Sequence, residues 1–281
     1  MSPPAGTFFI DGVAFWAPTL PGWPLARSVF RGEAEPLAVA AKRPAPELLA
    51  AAERRRAPDT VALALEVAAA AVREAGRNAD TLPSIFTSSH GDLGVNDYMC
   101  STLATQPTAI SPTKFHNSVH NAAAGYWTMA THCREASTAL SAFDASFAAG
   151  LLEAAVQCQA DSRAVLLVAF DVEAVGALRS VAASQGLLAC ALVLAPSASD
   201  RTIAAFEWSL AAGPAEAPAY RSAAARTLAG NAMADALPLL EAIAVDGIPH
   251  DGAGALALRL SRSLAMVLKP ASFATAAGAR R

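Results

Sequence analysis

Apolar positions recur along this chain in two rhythms, and the elements they predict alternate between strand and helix. Residues 7–10 and 13–16 are short β-prone runs around Asp11-Gly12, closed by a Pro/Gly-rich loop over 17–24. Residues 48–56 and 60–76 read as helices, the second amphipathic and ended by Gly76. A strand over 83–87 leads into the polar turn Ser88-Ser-His-Gly-Asp92, followed by helices over 96–104 and 117–133, the latter with the small residues Ala122, Ala123, Ala124 and Gly125 on one side. Residues 137–143 alternate as a strand, 145–160 form a helix, and 164–171 are an apolar run ending in Asp171, as in a strand of a parallel sheet covered on both faces.

Residues 187–195 and 202–210 read as two more strands, joined through 196–200 as a hairpin-like pair. The signal then weakens. Residues 211–229 are small, polar and irregular, which predicts a surface connection. Leu237, Leu239, Leu240 and Ile243 make a helical stripe over 235–245, 252–268 fits one or two closing strands, and the tail from Pro270 is expected to fray. The alternation predicts an α/β protein of layered α/β/α build.

Composition narrows the function classes. With 54% hydrophobic and 16% charged residues, 281 residues can bury a large core, and disorder is not expected. A net charge of -3 supplies no global basic field, so nucleic acid is not an expected partner. Residues 1–6 lack the basic flank and apolar core of a signal peptide, and the apolar stretch 180–199 is interrupted by Gly186 and Pro196, so no membrane span is expected. The expected location is cytoplasmic. Abundant alanine lets neighbouring layers approach closely.

Individual chemical signals are modest. Cys100, Cys133, Cys158 and Cys190 form no CxxC pair and read as buried free thiols. His116 and His120 sit at a spacing that puts two imidazoles on one helix face, but Asn117 stands where a zinc protease carries glutamate and no third ligand is near. Hydrogen-bonding histidines are the alternative, and neither a metal nor another cofactor is expected. Ser89, His90 and Asp92 supply triad residue types without triad geometry or a GxSxG elbow, so a turn is the better reading. Arg54, Arg55 and Arg56 form the densest basic cluster, either a solvated helix end or a dock for an acidic partner.

Two segments carry a family resemblance. Phe115-His-Asn-Ser-Val-His-Asn-Ala-Ala-Ala-Gly125 and Ser146-Phe-Ala-Ala-Gly-Leu-Leu-Glu153, together with the order of elements over 7–210, resemble the N-terminal half of β-ketoacyl synthases. More narrowly, they resemble the short chain-length-factor subunits of aryl polyene and xanthomonadin-type pigment clusters. The resemblance implies a thiolase-like fold in one domain, with a ketosynthase-like core over 7–210 and a reduced C-terminal part over 211–281. It also implies that Asp144, 23 residues after Asn121, occupies the position of the nucleophilic cysteine, with Phe143 as the fallback if the turn is shifted by one.

Either residue removes the thiolate that would accept an acyl group by thioester exchange. Asp144 reads either as an N-cap of the following helix, where capping and the helix dipole together contribute ~1 kcal/mol, or as a group that shapes an acyl tunnel. Phe143 and Phe147 either block a pocket or pack in the core. Ketosynthases also use two histidines from their C-terminal half, and beyond Asp144 this chain has only His250. The resemblance therefore implies a non-catalytic subunit that pairs with an active ketosynthase through the strand at 137–143, with His116, His120 and Asn121 near the interface. An acyl carrier protein is the second implied partner, with Arg54, Arg55 and Arg56 as docking candidates. Two rivals stay open: an atypical acyltransferase or decarboxylase using Asp144 or His120, and a homodimeric carrier-binding scaffold.

Overall fold

A computed structural model describes residues 5–246, 254–275 and 278–280; His250, the one histidine after the turn, lies outside them. The chain opens with β1 (Ala5–Ala17), the short β2 (Leu20–Pro21) and α1 (Trp23–Phe30). After a long loop come α2 (Ala51–Arg56), α3 (Asp59–Glu74), β3 (Ser84–Thr87), α4 (Leu93–Thr105), α5 (Pro112–His116) and α6 (Ala122–Thr131). Then follow β4 (Ser137–Leu140), α7 (Ser146–Ala160), β5 (Val165–Asp171), β6 (Leu188–Ala195) and β7 (Ala204–Ala212). Helices α8 (Ala223–Leu228) and α9 (Leu237–Ala244) precede β8 (Leu256–Ser261), β9 (Leu264–Pro270) and a small pair, β10 (Phe273–Thr275) with β11 (Gly278–Arg280).

Among the described residues the main sheet has nine strands in the order β4-β3-β5-β6-β1-β7-β9-β8, with β2 paired to β1. Alternate side chains of these strands feed two separate cores. On one face Val165, Leu167, Leu192 and Leu194 pack with Phe147, Leu151, Leu237 and Leu240 from α7 and α9. On the other, Leu166, Val168, Ala191 and Val193 pack with Val61, Leu65, Ala68 and Trp127 from α3 and α6. That is the layered α/β/α arrangement, and each fully buried leucine or valine contributes roughly 1.5–3 kcal/mol of transfer free energy.

The long non-local pairings are where the sequence pattern misleads. The runs at 7–10 and 13–16 are one strand, β1, with a bulge between Ile10 and Gly12. Buried Asp11 stands at that bulge, paired with Arg77 at 2.7 Å and accepting from Thr202 Oγ1 at 2.9 Å and Ser199 Oγ at 3.2 Å. The polar residue therefore redirects the strand without ending it. The expected hairpin of β6 with β7 does not form, because β1 lies between them and pairs antiparallel with both. β5 is parallel to β3 but antiparallel to β6, so only half of its surroundings match the parallel-sheet reading.

The C-terminal part completes the sheet. β9 pairs with β7 and β8 pairs with β9, while the stretch after Pro270, expected to fray, folds back as β10 and β11. Part of the irregular segment is helical, as α8, and buried Glu241 ties its start by accepting from the Arg221 and Ser222 amides at 3.0 and 2.7 Å. Three cysteines are buried as expected; Cys100 is exposed because α4 turns that position to solvent.

Helix α3 crosses β1 at Gly12, where a Cβ would stand 2.2 Å from the Ala71 carbonyl oxygen. Gly12→Ala is therefore expected to destabilise the chain by at least about 2 kcal/mol, because backbone has to move. Gly125→Ala, on α6 with open space around it, is expected to stabilise by roughly 0.5–1 kcal/mol. Thermal melts of the two variants check the contrast; equal shifts would contradict the packing described.

Candidate functional site

The carboxyl ends of β3, β4 and β5 converge on a turn between β4 and α7. β4 is shorter than expected, ending at Leu140, because the backbone then bends into a 3-10 turn over Phe143–Ala145. Phe143 has φ +57, the left-handed region that a bulky side chain rarely adopts, and its ring is 65% exposed. A strained residue at a strand-to-helix bend persists only where its surroundings hold it there.

Those surroundings are serines. The Ser89 and Ser146 hydroxyls each donate to the Phe143 carbonyl at 2.7 Å, the Ala142 amide donates to Ser146 Oγ at 3.0 Å, and Ser141 Oγ donates to the Ser89 carbonyl at 2.9 Å. Ser89 is itself fixed from below. The buried Asp171 carboxylate, at the end of β5, accepts from Ser88 Oγ at 2.7 Å and from the Ser89 amide at 2.8 Å. Burial raises the Asp171 pKa, while the amide and hydroxyl donors pull it back down. The turn 88–92 predicted from Ser89, His90 and Asp92 is thus a brace for the bend: His90 sits edge-on to the Phe143 ring with centroids 5.7 Å apart, and Asp92 caps α4 through the Val95 amide at 2.8 Å.

Asp235 is the second buried carboxyl under the bend. It faces the Phe147 and Ala148 amides at the first turn of α7, which favour its ionised form, yet neither oxygen gains a well-formed hydrogen bond. Burial dominates and pushes it up to about 7, with the charge of Asp171 adding in the same direction. Neither acid was identified from the sequence; an aspartate closing the otherwise apolar run of β5 was the available signal for Asp171.

The expected site residues separate in space. Asp144 is not an N-cap: Ala145 holds that position, and Asp144 is exposed, paired with Arg259 of β8. The turn places its side chain outward because Phe143 takes the left-handed conformation before it. Phe147 is fully buried in the core, so it packs there, while Phe143 faces solvent.

His116 and His120 do not share a helix. The predicted helix over 117–133 is broken, with α5 ending at His116 and α6 starting at Ala122, because Asn117, Ser118 and Asn121 give the backbone turn conformations between them. His120 Nε2 lies 3.0 Å from the Ser88 carbonyl and His116 stacks edge-on against Tyr126. Among the described residues no three His, Cys, Asp or Glu side chains cluster as metal ligands. Asn121 is exposed at the start of α6. Arg54 turns inward to the Leu49 carbonyl at 2.9 Å, leaving Arg55 and Arg56 as the exposed members of the basic cluster.

Cysteine chemistry at the bend has no local source. Cys158 and Cys190 are buried in the sheet–helix core, and burial raises both thiols, Cys158 to about 11. β4 forms the free edge of the sheet; α6, which packs beside it, exposes Met129, and Phe115 and Val119 are exposed on the segment leading into α6. No described helix is long and apolar enough to cross a membrane.

The family model of the beta-ketoacyl synthase N-terminal domain matches residues 30–246. No curated protein matches the chain. Among solved structures, the chain is similar to one from the ketosynthase (ApeO) in complex with its chain length factor (ApeC) from Xenorhabdus doucetiae, with 23% identity, TM-score 0.68 and coverage of 94% of this chain and 99% of that one. A chain of the ishigamide ketosynthase/chain length factor gives 15% identity, TM-score 0.67 and coverage of 94% and 99%. A chain of AntDE:AntF, a type II PKS acyl-carrier protein in complex with its ketosynthase, gives 8% identity, TM-score 0.69 and coverage of 95% and 100%. At these identities the likeness establishes the ketosynthase, thiolase-like fold.

Raising the pKa of Asp235 above its unfolded value of 3.8 means that the folded state holds this proton more tightly. Stability is therefore lost as pH rises from about 4 to about 7, by roughly 4 kcal/mol from this group. Asp235→Asn is expected to remove that slope, so that its stability relative to the parent improves by a few kcal/mol between pH 4 and pH 8. Urea unfolding at the two pH values measures it; parallel pH profiles would show that Asp235 carries no such penalty.

Proposed function

The chain belongs to the beta-ketoacyl synthase N-terminal domain family, and on that premise we propose that it is a non-catalytic subunit of chain-length-factor type. In this reading it pairs with an active ketosynthase and shapes the tunnel in which an acyl chain grows on an acyl carrier protein. The observation that carries it is the bend itself: the left-handed residue held by Ser89 and Ser146 is Phe143, with Asp144 beside it, where the family presents a cysteine. A phenyl ring has no nucleophilic atom, and an exposed carboxylate engaged by Arg259 is a poor acyl acceptor for thioester exchange.

The backbone favours the one-residue shift that makes Phe143, and not Asp144, the occupant of the cysteine position. Its exposed ring, resting on His90, is then the group that reaches across to the partner or closes the tunnel end. The whole chain acts as one unit, with 7–210 as the ketosynthase-like core and the reduced part after 210 bracing the bend through Arg259.

The partner surface in this reading is the free edge of β4 with exposed Met129 on α6 beside it and Phe143 at the bend that follows it, continued by exposed Phe115 and Val119 on the segment leading into α6. An open β edge beside exposed apolar side chains is an aggregation hazard that a second sheet removes. Solved relatives described as ketosynthase/chain length factor complexes support a heterodimer over a homodimeric scaffold. An acidic carrier would meet Arg55 and Arg56, the outward members of the basic cluster.

Co-expression with a cognate ketosynthase tests the pairing. The two chains are expected to co-elute in size exclusion at equal stoichiometry, and the double variant Val119→Glu with Met129→Glu is expected to weaken the complex at least 100-fold while the isolated chain keeps its melting temperature. Separate elution of the unaltered chains, each active alone, would overturn the proposal.

A further inference from the structure

A cleft of about 670 Å³ opens on the α3 side of the sheet, between α2, the start of α4 and α5, with Val95, Val172 and Leu187 in its wall. That volume suits a cofactor-sized molecule, and its position at the carboxyl ends of the parallel strands β3 and β5 is where open α/β sheets accept ligands.

The charge lining the cleft is lopsided. Arg43 is spent internally, bound to Asp59 at 2.8 Å and to the Arg54 carbonyl at 2.8 Å. Lys42, Arg55 and Arg56 are exposed and have no carboxylate within ion-pair distance among the described residues, and Lys114 lies over the Tyr98 ring 5.7 Å from its centroid. Against these four cations stand Glu173, exposed at the rim, and Asp92, already engaged by the Val95 amide and the Thr60 hydroxyl. Helix α3 also begins at the cleft without a side-chain cap, and the Asp59 carboxylate in its first turn, bound to Arg43, offsets part of the positive potential there.

A second observation is independent of charge. Asn117 lines the cleft, is only 3% exposed, and its Oδ1 accepts from no protein donor. A buried amide oxygen in the wall of a cavity, with no protein donor, is a feature that a donor on a ligand satisfies. Flat docking of an acidic protein would engage the rim arginines and leave Asn117 untouched.

We infer that this cleft binds a phosphate ester of nucleoside-diphosphate size, with the diphosphate on Lys42, Arg55 and Arg56 and the nucleoside against Val95, Val172 and Leu187, within reach of Asn117. Guanidinium forks match phosphate oxygens in pairs, and the apolar wall accepts a base and ribose. The inference does not depend on the subunit having a ketosynthase partner.

Titration calorimetry of the full chain at low salt, with ADP and with pyrophosphate, tests it. ADP is expected to bind saturably and at least 10-fold more tightly than pyrophosphate. Arg55→Glu with Arg56→Glu is expected to weaken ADP at least 10-fold, as is Lys42→Glu if the double variant does not fold. Asn117→Ala, whose side-chain oxygen has no protein donor to lose, is expected to weaken ADP about 3-fold or more with an unchanged melting temperature. Arg134→Glu, a charge reversal outside the cleft, is expected to change nothing. No saturable ADP binding, ADP no tighter than pyrophosphate, or equal loss with Arg134→Glu would each overturn the assignment.

Discussion

The Asp171 carboxylate, buried at the end of β5, holds the turn after β3 through Ser88 and the Ser89 amide, and Ser89 in turn holds the carbonyl of Phe143. Remove that anchor and the bend between β4 and α7 has no reason to keep a bulky residue in the left-handed region, which costs roughly 1–2 kcal/mol. The cost is met by a fully hydrogen-bonded set of serines inside the protein, where each bond is worth more than in water. The consequence is positional. A side chain is presented at the tip of a sharp bend, at the edge of the sheet, and the chemistry of the site is decided by which side chain that is.

In the proposed reading, that geometry is a nucleophile's platform without a nucleophile. The chain carries the family's N-terminal domain, with a strand, a braced bend and a helix at the edge of its sheet, and in the reading proposed above the phenyl ring at the tip stands where reactive sulfur would. Nothing in the brace requires a reactive residue, since its hydrogen bonds run to the Phe143 carbonyl and the Ala142 amide, which every residue supplies. In that reading, retention of the platform is explained by shape: a subunit that matches a catalytic partner across the β4 edge needs the same backbone, whatever the side chain at its tip.

Much of the fold was legible because it is written locally. Helix α3 follows an apolar stripe, β5 and β6 follow apolar runs, and both sit within a few residues of where the pattern puts them. What escaped is non-local. β1 inserts between β6 and β7, and no short-range pattern announces a strand from the start of the chain parting two that look like a hairpin. The break between α5 and α6 was visible in Asn117, Ser118 and Asn121, but the flanking alanines masked it. At the site, the 23-residue spacing from Asn121 leaves Asp144 and Phe143 as alternatives, and in the proposed reading Phe143 is preferred on its left-handed backbone. Asp171 and Asp235 come from segments far from the bend in sequence and meet beneath it only in the folded chain.

The central claim is that this subunit shapes an acyl site without carrying the acyl group. Intact-mass spectrometry of the chain and its ketosynthase, incubated together with an acyl-loaded carrier protein, addresses it directly. The account predicts an acyl mass increment on the ketosynthase alone. A stoichiometric increment on this chain, mapped to any residue of the bend, would contradict it.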